Sequence, residues 1–212
     1  MAVFTNKKEL ITALVLPGDT VLDIGFWGQG VGVDSPEWVH ALLRARAREV
    51  WGIDTSYDET KLPGGPAHYL RASAESFSLN KRFDVIFAGD LIEHLSNPGL
   101  FLAHAKQHLA PGGRLILSTP NAFNLFNIAE KFSKGEPTVN ADHTCYFNEK
   151  TLRQSLRKNG WRVERIDFVY SLGVLHRESW KKKILNGMYW LLSLFTPRFI
   201  ETLAVVAVPD AV

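Results

Sequence analysis

An apolar strand that ends in an aspartate and runs directly into a glycine-rich turn constrains this chain most. Residues 21–30 read Val-Leu-Asp-Ile-Gly-Phe-Trp-Gly-Gln-Gly. Glycines let the backbone approach a ligand closely, and a helix that follows directs free N–H groups at it. A second apolar strand tip, residues 51–54, ends in Asp54, whose carboxylate can accept both hydroxyls of a ribose. The sequence therefore predicts a nucleotide site in an α/β protein.

Composition limits the number of domains, the kind of partner and the cellular compartment to be expected. The chain has 212 residues, 46% hydrophobic and 22% charged, which suits one globular domain over residues 1–212. A net charge of +2 gives no reason to expect a nucleic-acid partner. The single cysteine, Cys145, excludes an internal disulfide and a cysteine-rich zinc site. It also favours a reducing compartment, and no signal peptide is visible, so a cytoplasmic location is expected.

Short apolar runs alternate with amphipathic segments along the chain, as they do in βαβ units. The predicted strands cover residues 20–24, 49–53, 67–71, 83–88, 114–118, 161–169 and 202–208. The predicted helices cover residues 6–16, 36–46 and 98–109, with another from Asn148 to Gly160. Ser35 and Pro36 are the expected N-cap and first residue of the second helix.

Further motifs follow the glycine turn and Asp54 in a definite order. They are Phe83-Asp84-Val85-Ile86, the stretch 91–98 with its Glu-His pair, and the stretch 109–121 with Pro-Gly-Gly and Thr-Pro-Asn. Over roughly residues 15–170 and the last strand, the chain resembles class I S-adenosylmethionine-dependent methyltransferases. It is most similar to the small-molecule branch, which includes ubiquinone-biosynthesis O-methyltransferases and glycan-cluster methyltransferases. The resemblance implies a Rossmann-like, doubly wound sheet of seven strands, mostly parallel with the last strand antiparallel.

The resemblance also implies a cofactor, S-adenosylmethionine, at the glycine turn and the neighbouring strand ends. The implied binding residues are Asp23, Gly25, Phe26, Trp27, Gly28, Gly30, Asp54, Thr55, Ser73, Ala74 and Asp90. The turn departs from the family pattern Asp-x-Gly-x-Gly-x-Gly by one extra residue between its first two glycines. The bulky Phe26 and Trp27 could stack on the ligand or cap the end of the sheet. Ser73 stands where relatives often carry an aspartate for the adenine amino group, a bond that Ser73 or Glu75 could still accept.

A dinucleotide-binding interpretation competes with this one, because both share a glycine turn, a helix and a distal acid. It fits less well, since the fingerprint Gly-x-Gly-x-x-Gly is absent from the strand tip. The carboxylate of Asp23 would also repel a pyrophosphate. The same carboxylate suits the ammonium and sulfonium charges of S-adenosylmethionine.

His94, His143 and Glu93 are the candidate catalytic residues. A hydroxyl acceptor must lose its proton, and histidine titrates near neutrality, so His94 is the first candidate base. The alternative is that His94 and Glu93 only orient a short helix, on which Asp90, Glu93 and His94 would share one face. Resemblance raises a secondary metal hypothesis, in which those three residues hold a magnesium-like cation. His143 adjoins Asp142 on a loop where relatives place substrate-contacting residues.

Residues 176–200 are the least family-like part, and a helical hydrophobic insertion is expected there before the last strand. Residues 184–195 are almost wholly apolar but too few for the roughly 20 that span a bilayer. Three alternatives stay open: a helix over the acceptor pocket, a homodimer contact through residues 180–200, or a peripheral membrane contact made with Lys181–Lys183. In the first, the pocket gains the aromatic residues Trp180, Tyr189 and Trp190.

The expected function is S-adenosylmethionine-dependent methylation of a small molecule, at a hydroxyl of a sugar, glycoside, lipid-linked or quinone-like acceptor. The alternative is a noncatalytic, cofactor-binding partner subunit, favoured by the altered turn and by Ser73. Methylation of nucleic-acid bases is not expected. After the fourth predicted strand the chain lacks the Asn/Asp-Pro-Pro-aromatic tetrapeptide, and Cys145 lacks a preceding proline.

Overall fold

The computed structural model describes residues 1–27, 32–63, 66–170, 187, 191 and 196–210, which contain an eight-stranded sheet and five α-helices. The strands are β1 Val3–Phe4, β2 Thr20–Ile24, β3 Glu49–Asp54, β4 Tyr69–Arg71, β5 Phe83–Gly89, β6 Leu109–Pro120, β7 Trp161–Val169 and β8 Thr202–Pro209. The helices are α1 Lys7–Leu14, α2 Val39–Arg46, α3 Pro98–Gln107, α4 Leu125–Lys134 and α5 Glu149–Lys158.

The strand order is β1-β7-β8-β6-β5-β2-β3-β4. Strands β2 to β6 pair in parallel with one another, whereas β8 lies antiparallel between β6 and β7. The predicted mostly parallel sheet with an antiparallel last strand is therefore confirmed. The strand beyond the seven expected is β1, which adds to the β7 edge through Val3 and Phe4. Two residues are too few to give a periodic pattern in a sequence.

Successive residues of the central strands pack into two separate cores. In β5, Ile86 and Ala88 belong to the core that includes α3 and α5, whereas Val85 and Phe87 belong to the core that includes α1 and α2. Because successive side chains of a strand point to opposite faces, the two cores cover the two faces of the sheet. Burial on both faces explains why the strands read as apolar runs rather than as alternating patterns.

Helix α2 begins at Val39, three residues later than predicted, so the N-cap at Ser35 is wrong. The Ser35 hydroxyl accepts the N–H of Glu37 within a turn. The Trp38 ring is only 4% exposed, and its indole N–H donates to the carbonyl of Phe26. Burial of this ring against the glycine turn holds residues 36–38 out of the helix.

Helix α4 is absent from the sequence prediction, which treats this segment as a loop; none of its residues is fully buried, but Leu125 and Phe126 pack against the core. It begins after Asn124, whose side chain accepts the N–H of Asn127. Every helix of the described residues falls short of the length and apolarity needed to cross a bilayer. Most of the expected insertion at 176–200, including Trp180, Lys181–Lys183, Tyr189 and Trp190, lies outside the described residues.

Gly52 tests how tightly the carboxyl end of β3 is packed. A Cβ at this position would lie 2.7 Å from Cδ1 of Phe26 and 2.8 Å from Cδ1 of Tyr69. We expect Gly52→Ala to lower the free energy of unfolding by about 1–3 kcal/mol, because both rings must shift. Urea denaturation measures this. Gly18→Ala is the control, since its Cβ meets nothing within 4 Å, and equal losses in both variants would contradict the packing argument.

Candidate functional site

The carboxyl ends of the parallel strands gather the predicted site residues at one edge of the sheet. Asp23 lies near the end of β2, Asp54 ends β3, and Asp90 directly follows β5. Ligands bind outside the carboxyl ends of such sheets, where the connections diverge to opposite faces. The edge therefore carries three carboxylates within the predicted nucleotide site.

The glycine turn is tied to Asp54 by its own backbone. Gly25 has a φ of +78° and donates its N–H to the carbonyl of Ile53. The N–H of Trp27 donates to Oδ2 of Asp54 at 2.9 Å, and the N–H of Ser56 donates to Oδ1 at 3.1 Å. Burial raises the pKa of Asp54, although these donors oppose the rise. Gly28 and Gly30, two predicted cofactor residues, lie outside the described residues.

Phe26 and Trp27 differ in their exposure to solvent. The Phe26 ring is 4% exposed and packs 5.0 Å from Tyr69 and 5.4 Å from Tyr57, measured between ring centroids. Of the two roles considered, capping the end of the sheet agrees with this burial. Trp27 remains partly exposed, with its ring 6.2 Å from that of Phe26.

The predicted adenine side of the site is formed after β4. Thr55 is exposed and Ala74 is buried. The Ser73 hydroxyl accepts the N–H of Glu75 at 3.1 Å, and the carboxylate of Glu75 accepts the N–H of Asn97 at 2.8 Å. Both side chains that could replace the missing aspartate are therefore also used to shape this loop.

Asp90 is held by Lys7, which no sequence motif places in the site. Asp90 has a φ of +48° and so lies outside the short 3₁₀ turn Ile92–His94, not on a shared helical face. The ammonium of Lys7 lies 2.5 Å from Oδ2, and the hydroxyl of Ser118 donates to Oδ1 at 2.7 Å. Burial alone would raise the pKa of Asp90, but Lys7 and Ser118 hold it below its ordinary value.

Glu93 is a buried carboxyl group, 1% exposed. The hydroxyl of Thr119 donates to Oε2 at 2.8 Å, whereas no donor among the described residues reaches Oε1. Burial, together with the charge of Asp90, raises the pKa of Glu93 to about 7. The backbone carbonyl of Glu93 accepts the N–H of Thr144 at 2.8 Å, which anchors the His143 loop to the turn that carries Glu93 and His94.

The two predicted histidines meet beside Glu93. The rings of His94 and His143 lie 4.6 Å apart between centroids, edge to face at 84°. One side-chain ligand atom of each histidine and of Glu93 lie within 4.8 Å of one another. Burial and the neighbouring His94 lower the pKa of His143. His143 is thus predominantly neutral near pH 7 and able to accept a proton.

A cavity of about 260 Å³ opens at this cluster. Asp90, Glu93 and His143 line one part of it, and Asn124, Asn127 and Asn140 line another. The three asparagines follow β6 on a segment that the sequence left without a predicted element. Their only sequence signal is a high density of side-chain amides between residues 121 and 140.

The residues at this cluster do not fit the magnesium-like cation of the secondary hypothesis. Asp90 carries the Lys7 ammonium, which opposes a second cation beside it. The three grouped side chains, Glu93, His94 and His143, offer two imidazoles and one carboxylate. Magnesium takes oxygen ligands, and two imidazoles suit transition metals instead.

Comparison with known proteins identifies the class. A family model described as a methyltransferase domain matches residues 6–166, and the chain belongs to this family. A relative in Mycolicibacterium smegmatis, named as a probable S-adenosylmethionine-dependent methyltransferase, is 32% identical over 166 residues, covering 75% of this chain and 56% of its own. A ubiquinone biosynthesis O-methyltransferase of Rickettsia canadensis is 35% identical over 135 residues, covering 61% of this chain and 56% of its own. The chain thus spans little more than half the length of these relatives.

The fold is shared more widely than the sequence. A 1,6-didemethyltoxoflavin-N1-methyltransferase of Burkholderia thailandensis, solved with S-adenosylhomocysteine, has a TM-score of 0.59 at 17% identity. The alignment covers 92% of this chain and 72% of that one. The predictions of an S-adenosylmethionine-dependent methyltransferase family and of its cofactor are therefore confirmed.

The raised pKa of Glu93 has a measurable consequence for stability. The folded state holds this proton up to about pH 7, whereas the unfolded chain releases it near 4.5. The folded state therefore binds more protons between these values, and stability falls as pH rises through this window. We expect Glu93→Gln, which cannot ionise, to be more stable than the wild type at pH 8 by about 1–3 kcal/mol.

Denaturation at pH 5 and pH 8 measures this difference. Glu136→Gln is the control, because the Glu136 side chain is 81% exposed. A Glu93→Gln variant with the wild-type dependence on pH would show that Glu93 does not carry the effect.

Proposed function

We propose that this chain is a methyltransferase that transfers the methyl group of S-adenosylmethionine to a hydroxyl of a small-molecule acceptor. The observation that carries the proposal is the position of His143. It is kept neutral beside His94 and Glu93, and it lines a cavity that also reaches Asp90 at the cofactor edge. The family and the names of its relatives support the same reaction.

The cofactor is proposed to lie across the carboxyl ends of β2, β3 and β5. Asp54 accepts the ribose hydroxyls, since its carboxylate is already aimed by the N–H groups of Trp27 and Ser56. Asp23 faces the methionine end, and the Ser73 and Ala74 loop borders the adenine. Burial strengthens the attraction between Asp23 and the cationic cofactor because water screens it less.

The chemistry needs little from the protein beyond alignment and one proton transfer. S-adenosylmethionine, when bound, would supply an activated methyl group: its bond to sulfur would break as the acceptor oxygen bonds to the methyl carbon, leaving neutral S-adenosylhomocysteine and an O-methyl product. The hydroxyl proton passes to the free nitrogen of His143. His94 and Glu93 hold His143 in place, and the proton is later released to solvent.

The described lining of the cavity favours an acceptor with several hydroxyl groups, such as a sugar or glycoside, over a flat quinone-like ring. Ligand pockets are usually mostly apolar, whereas polar side chains make up a large part of the described lining here, including three asparagines and the acids Asp90, Glu93 and Glu201. A side-chain amide both donates and accepts, which matches a hydroxyl group. The fold already uses part of each amide. Asn124 accepts the N–H of Asn127 and donates to the carbonyl of Asn121, Asn127 donates to the carbonyl of Ala122 at 3.3 Å, and Oδ1 of Asn140 accepts the N–H of Asp142.

Cofactor binding is the first test. Calorimetric titration of the wild type should show micromolar binding of S-adenosylmethionine and S-adenosylhomocysteine but none of NADH. Asp54→Ala should weaken both sulfur nucleotides about tenfold or more, because a charged acceptor of hydrogen bonds is lost. Asp58→Ala is the matched control, since this carboxylate is 41% exposed outside the predicted site. Absence of binding in the wild type would overturn the proposal.

The proposed base is tested by turnover. Release of S-adenosylhomocysteine is followed with a panel of methyl glycosides and with a catechol, and we expect turnover with a glycoside. His143→Asn should then lower kcat by about 10²–10⁴-fold with little change in cofactor affinity. His68→Asn, outside the cavity and half-exposed, should leave kcat unchanged.

Three results would contradict parts of the proposal. Exclusive turnover of the catechol would overturn the acceptor class. Full activity of His143→Asn would overturn the base. Loss of wild-type activity in EDTA, restored by a divalent metal, would show that the histidines bind metal instead of accepting the proton.

A further inference from the structure

A buried chain of hydrogen bonds joins the ends of two strands through a histidine of α2. His40 is fully buried, and its Nδ1 lies 2.9 Å from Oδ2 of Asp23. Its Nε2 lies 3.0 Å from Oη of Tyr69, which also lies 3.2 Å from the carbonyl oxygen of Pro63, and the single hydroxyl hydrogen can be donated to either. The Asp23 side chain is only 3% exposed, so its contact with His40 is made away from water.

The register of the sheet explains why a histidine fits here. Asp23, Gly52 and Tyr69 are paired across β2, β3 and β4, and paired residues of neighbouring strands point to the same face. Gly52 has no side chain between the other two, and the rings of Phe26 and Tyr69 pack against it. His40 on α2 contacts Asp23 with one ring nitrogen and Tyr69 with the other, and the rings of Phe26 and Tyr69 each lie within 5.4 Å of its ring, centroid to centroid.

The direction of the first hydrogen bond is fixed by chemistry. An ionised carboxylate only accepts, so Nδ1 of His40 carries the hydrogen. A hydroxyl can donate or accept, so Tyr69 can satisfy Nε2 in either charge state of the ring. A buried carboxylate that loses such a donor bears a large desolvation penalty, and its orientation is no longer defined.

We propose that His40 is a positioning residue for cofactor binding. It fixes the carboxylate of Asp23 below the glycine turn, where this charge faces the methionine end of the cofactor, and Tyr69 fixes His40 in turn. The inference rests on the proposed function, since that function gives Asp23 its ligand. The arrangement reverses the order of a catalytic triad, in which a carboxylate orients a histidine.

Three variants test the chain of bonds by calorimetric titration with S-adenosylhomocysteine. His40→Leu removes both polar contacts and should weaken binding about tenfold or more. His40→Asn places an amide N–H near the position of Nδ1 and should retain most of the affinity. Tyr69→Phe keeps the bond to Asp23 and should have a smaller effect than His40→Leu.

A matched control separates positioning from general stability. His108 is also buried, contacts the carbonyl of His104 through Nδ1 and accepts the N–H of Leu79 at Nε2. Thermal unfolding should show that His108→Leu and His40→Leu are both destabilised, while only His40→Leu loses affinity. Nitrogen NMR of the ring should show His40 protonated at Nδ1 at neutral pH.

Each outcome separates the inference from the proposed function. A folded His40→Leu variant with wild-type affinity overturns the inference and leaves the function standing. The same holds if His40→Asn binds as weakly as His40→Leu, or if Nδ1 carries no proton. If His40→Leu does not fold, the Asn and Tyr69→Phe variants and the NMR measurement decide. A wild type that fails to bind S-adenosylhomocysteine overturns both.

Discussion

Parallel pairing of β5 with β2 and β6 is the constraint on which the site depends. Parallel strands bring their carboxyl ends to the same edge, and each crossover must leave from that edge. Polar residues that directly follow the strands therefore lie close together in space although they are far apart in the sequence. The apolar cores on the two faces hold this edge rigid, since close-packed interiors resist small displacements.

The carboxyl groups at that edge lie in different environments, which shift their pKa values in different directions. Asp90 is paired with a lysine and stays ionised, Glu93 is buried and holds a proton to about pH 7, and Asp54 is aimed by backbone N–H groups. Neighbouring acids with different environments can serve different roles within a few ångströms. The charge of Asp90 also helps to raise the pKa of Glu93. The carboxylate that pairs with Lys7 therefore also affects the protonation of a second carboxyl group in the cavity.

The features that could be predicted from the sequence are those that depend on residues close together in the chain. Strands read as apolar runs, and Asp23 and Asp54 stand at strand tips, so both the fold and these acids were predictable. Lys7 was not, because it reaches Asp90 across 83 positions and nothing near it marks the contact. The contacts of His40 were not predictable either, because its partners lie on β2 and β4 and only the register brings them together. Helix α4 was not predicted, although Leu125, Ile128 and Phe132 recur there at helical spacing.

The antiparallel strand β8 has a consequence for how the acceptor could change over evolution. Thr202 pairs with both Pro120 and Val169, so β7 finishes and β8 starts at the same edge as the cavity, and Thr202 itself lines that cavity. The connection between these strands therefore begins and ends beside the cavity. If the proposed function holds, substitutions at its two described ends would act on acceptor binding, while the cofactor residues at the ends of β2 and β3 would stay unchanged. Cofactor binding and acceptor binding would then depend on different parts of the sheet.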